Sequence, residues 1–241
     1  MAGKQPMFNI PMSIIVAALA MIVLHIIRTA LPSEERLTLL LALAFVPARY
    51  AGETPGLPGG DWSQFTSFIT YMFVHSDATH LIINLVWMLA FGSAVAKRIG
   101  DLRFILFSFA CGIAGVLVHL FLHFGELIPV IGASAAISGQ MAGAIRFMFG
   151  ASQDGVPMSR DLKQIPLAGI GKTLTNPRFL MFMGVWIALN LLFGLGGMQL
   201  DGSGTEIAWE AHLGGFVCGL LIFGLFDRIP RPEGSTPTYI Q

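Results

Sequence analysis

The stretch Phe104–Phe124, FILFSFACGIAGVLVHLFLHF, runs for 21 residues without an Asp, Glu, Lys or Arg. About 20 apolar residues in a helix cross the roughly 30 Å of hydrocarbon in a bilayer, so this stretch predicts a membrane span. Five other runs read the same way, at about 8–31, 79–96, 133–149, 179–195 and 207–226. The expected fold class is therefore all-α: a polytopic membrane protein with six transmembrane helices. Composition agrees. Of 241 residues, 54% are hydrophobic and only 12% are charged, with a mean hydropathy of +0.72. Soluble domains carry about 25% charged residues. So apolar a chain is not disordered, and two cysteines do not make a disulfide scaffold. Fourteen basic residues balance fourteen acidic ones. No surplus is left to neutralise phosphates, which argues against a nucleic-acid partner.

Between the first and second spans lie two stretches of another kind. Residues 36–50 are apolar but short and end near Pro47, and residues 61–74 hold Trp62, Phe65, Phe68, Tyr71 and Phe73. Both are expected to lie in the membrane interface, where aromatic side chains sit well. A seventh span over 36–50 is the alternative. Lys and Arg set the orientation. With the N-terminus inside, eleven fall on the inner side and three (Arg28, Arg36, Arg49) on the outer side. The expectation is a short cytoplasmic N-terminus (1–7), a membrane domain (8–229) and a disordered cytoplasmic tail (230–241), in a bacterial plasma membrane. The first apolar run is too long for a signal peptide and is read as a span. The inner loop at about 150–177 contains Gly171-Lys172-Thr173, but Pro166 stands where a phosphate loop needs its first glycine.

Polar groups inside a membrane are expensive and point to function by default. Three clusters stand out. His80 and Asn84 are four residues apart, hence on one helix face, and His75 precedes them. Ser134 follows Pro129 and Gly132 at the start of the fourth span. There the free N–H groups and the helix dipole favour negative charge. The plainer reading is a helix cap, or a small-residue stripe through Ser134, Ala135, Ser138, Gly139 and Ala142. The third cluster is His212 on a face with Gly215 and Gly219, a small-xxx-small pair that lets two helix backbones approach. Packing that face on the fourth span's stripe brings His212 near Ser134, and such a pair makes an activated nucleophile.

Taken together, the stretches Phe73-Val-His75-Ser-Asp-Ala-Thr-His80-Leu-Ile-Ile-Asn84, Gly132-Ala-Ser134 and Ala208-Trp-Glu-Ala-His212-Leu-Gly-Gly215-Phe-Val-Cys-Gly219 resemble the rhomboid family of intramembrane serine proteases. The resemblance covers about residues 36–226. It implies a six-helix rhomboid-like bundle with an interfacial first loop. It implies a Ser134 nucleophile, His212 as general base and then acid, and oxyanion donors at His80, Asn84 and the Ser134 backbone N–H. Its substrates are transmembrane segments of other proteins in the lipid bilayer, and it needs no cofactor or metal. By the same resemblance, the fifth span and residues 193–204 form a gate and cap. Glu210 lies two residues from His212, hence on another helix face, so a two-residue mechanism is expected. Water is expected to enter past Ser134 and the polar residues near His75.

Two positions depart from the family pattern. Ala135 replaces the usual Gly after the nucleophile, and its methyl group can crowd the substrate or stiffen the helix start. Ser138 stands where an aromatic residue often packs on the histidine. It can hydrogen-bond the ring or leave it looser. A register shift to Ser138 as nucleophile is opposed by Gly132 and by the helix start. The main rival is a catalytically inactive rhomboid-like protein that binds transmembrane clients. A metal enzyme would need ligands among His75, His80, His119, His123 and His212; His119 and His123 are expected instead as interfacial polar residues. A transporter lacks support, because no intramembrane acid pair or inverted repeat occurs. Cys111 and Cys218 are expected as packing residues.

Overall fold

The computed structural model describes residues 10–52, 56–153, 161–195 and 208–227. The expected N-terminal segment, the tail, most of the glycine-rich stretch 193–204 and part of the loop 150–177 lie outside them. The described residues form ten α-helices: α1 (Met12–Ala30), α2 (Ser33–Leu43), α3 (Trp62–Thr70), α4 (Ala78–Trp87), α5 (Ser93–Ile99), α6 (Asp101–Leu122), α7 (Ser134–Gln153), α8 (Ile170–Leu174), α9 (Pro177–Leu195) and α10 (Trp209–Phe226). A π-helical turn, Met88–Gly92, joins α4 to α5 in one continuous span.

Local chemistry sets several helix starts. Prolines 11 and 32 stand just before α1 and α2. The Asp77 side chain caps α4 by accepting from the His80 N–H at 3.0 Å. Gly100, at φ +84°, makes the tight turn from α5 into α6 that an L side chain would resist.

Among the described residues, five helices are long and apolar enough to cross a membrane: α1, the α4–α5 span, α6, α9 and α10, with mean hydropathies of 2.1, 1.6, 2.3, 1.5 and 1.5. Large apolar side chains such as Val16, Leu19 and Ile26 of α1 and Leu180, Met181 and Val185 of α9 point outward. In a bilayer these faces meet lipid tails. The protein is thus a multi-pass, all-helical membrane protein. The fourth expected span, α7, is 20 residues long but less apolar. It is the central helix, packed between α6 and α10, and its Ser138, Gln140 and Arg146 are all buried. Those polar groups meet protein partners: Ser138 bonds the Ser134 carbonyl, Gln140 bonds Ser108, and Arg146 bonds the carbonyls of Leu220 and Ala168. A helix enclosed in this way needs little lipid-compatible surface.

The region between α1 and α4 braces the start of α7. With 11 residues, α2 is too short to span a bilayer. On α3, Trp62 and Phe65 are exposed while Ser63 and Ser67 are buried. Phe45, Tyr50 and Phe68 cluster with ring centroids 5.0–5.7 Å apart. Phe45 and Val130 exchange backbone hydrogen bonds at 3.0 and 2.8 Å, and the Gly132 N–H donates to the Tyr71 carbonyl at 2.9 Å. The loop leading to Ser134 is therefore pinned by main-chain bonds. Burial pushes the Tyr71 hydroxyl pKa up. It donates to the Gly112 carbonyl at 2.8 Å, tying the same region to α6. At the other end, Arg98 and Asp227 form a buried ion pair at 2.8 Å that joins α5 to the end of α10.

Candidate active site

The α7–α10 contact depends on glycine. A Cβ on Gly215 would lie 2.0 Å from the Ala135 carbonyl oxygen, and one on Gly219 would lie 2.4 Å from the Gly139 carbonyl oxygen. Helix backbones touch here because nothing stands between them. The contact brings His212 of α10 to the first turn of α7. His212 Nε2 lies 2.7 Å from Ser134 Oγ, within hydrogen-bond distance.

Gly132 is required twice. Its φ is +99°, and a Cβ there would come within 2.6 Å of His80 Nε2. His80 thus stands over the loop two residues ahead of Ser134. Its Nδ1 is 3.2 Å from Ser76 Oγ. Asn84, one turn further along α4, is buried and donates from Nδ2 to the His80 carbonyl at 2.9 Å. Beside the Ser–His pair a cavity of about 180 Å³ opens between α4 and α9, and Asn84, Trp87, Trp186 and Phe193 help to line it. Asn84, Ser134, Ser138 and His212 all line this cavity, whereas His80 stands against Gly132 and does not line it.

The two departures from the motif have clear geometry. The Ala135 methyl points at Gly115 of α6, where a second Cβ would approach within 2.7 Å, and it does not line the cavity. It therefore does not crowd a ligand there. Ser138 Oγ donates to the Ser134 carbonyl at 2.7 Å, so its hydroxyl is committed within α7 and does not hold the histidine.

Several expectations need correction. His119 is buried in the bundle, not interfacial. Its Nδ1 lies 2.5 Å from Glu210 Oε1, and this contact links α6 to α10. Glu210 indeed faces away from His212, but it is buried with a partner. His119, His123 and Glu210 also have the donor types of a metal site, with ligand atoms within 4.8 Å of one another. Their nitrogens already face acceptors: His119 Nε2 the Ile128 carbonyl at 3.3 Å, His123 Nδ1 Glu126 at 3.0 Å, and His123 Nε2 Glu210 at 3.5 Å. His75 is also buried. Its ring lies edge-on to His80 at 5.0 Å. Burial, then the neighbouring His80, lowers its pKa to about 3, so it is neutral at physiological pH. Cys111 and Cys218 are free thiols.

Motif reading missed one residue. Asn190 of α9 places Oδ1 2.6 Å from His212 Nδ1, and its Nδ2 donates to the Trp186 carbonyl at 2.8 Å. A signal was present, since an amide in the middle of an apolar span is itself a costly intramembrane polar group.

The sequence matches the Rhomboid domain family over residues 62–228. The chain belongs to the rhomboid family. Among characterised relatives, it is 26% identical over 225 residues to Rhomboid-like protease 3 of Toxoplasma gondii, an alignment covering 90% of this chain and 70% of that protein. The rhomboid match begins at the start of α3 and takes in every residue of the site just described.

Proposed function

We propose that this rhomboid is an intramembrane serine endopeptidase that cleaves transmembrane segments of other membrane proteins. The observation that carries the reading is the 2.7 Å approach of His212 Nε2 to Ser134 Oγ beside a cavity. His212 takes the Ser134 proton as Oγ attacks the scissile carbonyl. The developing oxyanion sits at the helix start, against the Ser134 N–H and the Asn84 amide, with His80 behind Gly132 as a further donor. Such donors are worth about 3–4 kcal/mol each in serine proteases. His212 then protonates the leaving amine, and a water molecule hydrolyses the acyl-enzyme by the reverse proton path. No step requires a metal or a cofactor.

The site lies at the end of α7 next to the interfacial helices, so the scissile bond belongs near the end of a substrate helix. A helix conceals its amides in hydrogen bonds, and Gly or Pro near the cut eases the local unwinding. In the same reading α7 is the sixth span, both termini lie in the cytoplasm, as the distribution of Lys and Arg suggests, and a bacterial plasma membrane is the default location.

Labelling of the purified protein with a fluorescent fluorophosphonate tests the reading. Labelling is expected in the wild type and in Ser138→Ala, and is expected to vanish in Ser134→Ala and His212→Ala. A folded wild type that neither labels nor cleaves a transmembrane substrate would instead indicate an inactive client binder.

A further inference from the structure

We propose that Asn190 is a positioning residue that sets the tautomer of His212, and so makes the base competent to accept the Ser134 proton. The proposal rests on the Ser134–His212 reading above. A side-chain amide has two similar ends, and its orientation follows from its partners. Here the partner is a carbonyl. The Trp186 oxygen, 2.8 Å away, can only accept, so Asn190 turns its nitrogen toward it. The amide oxygen is left facing His212 Nδ1 at 2.6 Å. That oxygen also only accepts, so Nδ1 must carry the hydrogen. A neutral imidazole protonated at Nδ1 has its lone pair on Nε2, the atom 2.7 Å from Ser134 Oγ. The opposite tautomer would set two lone pairs against each other at 2.6 Å and would aim an N–H at the hydroxyl.

Among the described residues, neither of the other two candidates performs this task. Ser138 is bonded to the Ser134 carbonyl, and the buried carboxylate nearest in sequence, Glu210, is engaged with His119. An amide can do in the membrane what a carboxylate does in water, because it orients the ring without bringing a charge into a low-dielectric site. Asn190 also sits on the least enclosed of the spanning helices. Only 6% of the α9 span is buried, against 39% for α6 and for α10. The bond that orients His212 therefore comes from the spanning helix with the smallest buried share.

The test uses the full chain in nanodiscs with Asn190→Leu, Asn190→Asp and the wild type. Nitrogen-15 NMR of labelled histidines, with His212 assigned by its loss in His212→Ala, is expected to show Nδ1 protonated in the wild type and a mixed or reversed tautomer in Asn190→Leu. Fluorophosphonate labelling of Asn190→Leu is expected to slow by about tenfold to a hundredfold, the scale for removing a partner that orients a functional histidine. In Asn190→Asp the carboxylate favours the imidazolium, so the acidic limb of the labelling profile should move to higher pH. A merely structural role would not move that limb. Protonation of wild-type His212 at Nε2 overturns the proposal. So does an Asn190→Leu protein with the wild-type tautomer and labelling rate. If the folded wild type neither labels nor cleaves a transmembrane substrate, the protease reading fails, while the tautomer measurement still decides the role of Asn190. Should Asn190→Leu not fold, the wild-type tautomer and the Asn190→Asp profile decide it.

Discussion

The methyl group of Ala135 lies between α7 and α6, and Gly115 leaves room for it. Ala135→Gly is therefore expected to label within about twofold of the wild type while losing up to about 1 kcal/mol of stability, the difference in helix propensity. A large gain in labelling would mean that the methyl group does reach the substrate. His75 makes a second prediction at this scale. Its folded pKa of about 3 lies below the unfolded value of 6.5. Between these values the unfolded chain binds more protons, so stability rises with pH across the window and falls as pH drops from about 6.5 toward 3. Unfolding temperature measured against pH should fall less steeply on the acid side in His75→Phe than in the wild type. Parallel curves would mean that other groups set the acid sensitivity.

Two helices and their glycines govern the Ser134–His212 distance. Along α7 and α10 the backbones meet at Gly139, Gly215 and Gly219. A Cβ at Gly215 would collide with the main chain of Ala135, which cannot rotate away as a side chain can. Gly215→Ala is expected to push α10 from α7, to cost about 1–3 kcal/mol as overpacking does, and to reduce labelling by about tenfold or more as the 2.7 Å contact opens. Gly184 of α9 has nothing within 4 Å of an added Cβ, so Gly184→Ala is the matched control and should label normally. Equal losses in the two variants would show that glycine content, not this contact, is what matters.

Across the whole molecule, the two ends of the bundle are held differently. The end that carries the site is tied by main-chain bonds between the α1–α4 connection and the loop before α7, with side-chain bonds such as that of Tyr71 to Gly112 beside them. The other end is tied by side chains. Arg98 pairs with Asp227, bonds the carbonyls of Leu162 and Ile165, and lies 4.7 Å over the Phe147 ring. Both charged side chains are no more than 4% exposed. Removing one partner strands a buried charge, so Asp227→Ala is expected to cost about 3–5 kcal/mol, whereas Arg98→Met with Asp227→Leu should recover much of it. Thermal unfolding of the single and double variants in the same detergent checks this. An Asp227→Ala protein as stable as the wild type would place that pair in contact with water.

Much of this protein was legible in one dimension. Hydropathy is a local property, and runs of about 20 apolar residues announce helices before any contact is known. The polar residues His80, Asn84, Ser134 and His212 announced themselves because each is out of place in an apolar span, and the glycines at 132, 215 and 219 by their spacing to them. Other features had no local signature. The direction of the Ala135 methyl, the burial of His119 against Glu210 and the polar core around α7 all depend on which helix faces meet. The same is true of Asn190, which was visible as an amide but not as a partner of His212. Sequence spacing determines what shares a face within one helix. Only the packing of α6, α7, α9 and α10 decides which faces are pressed together, and hence which donor meets which acceptor.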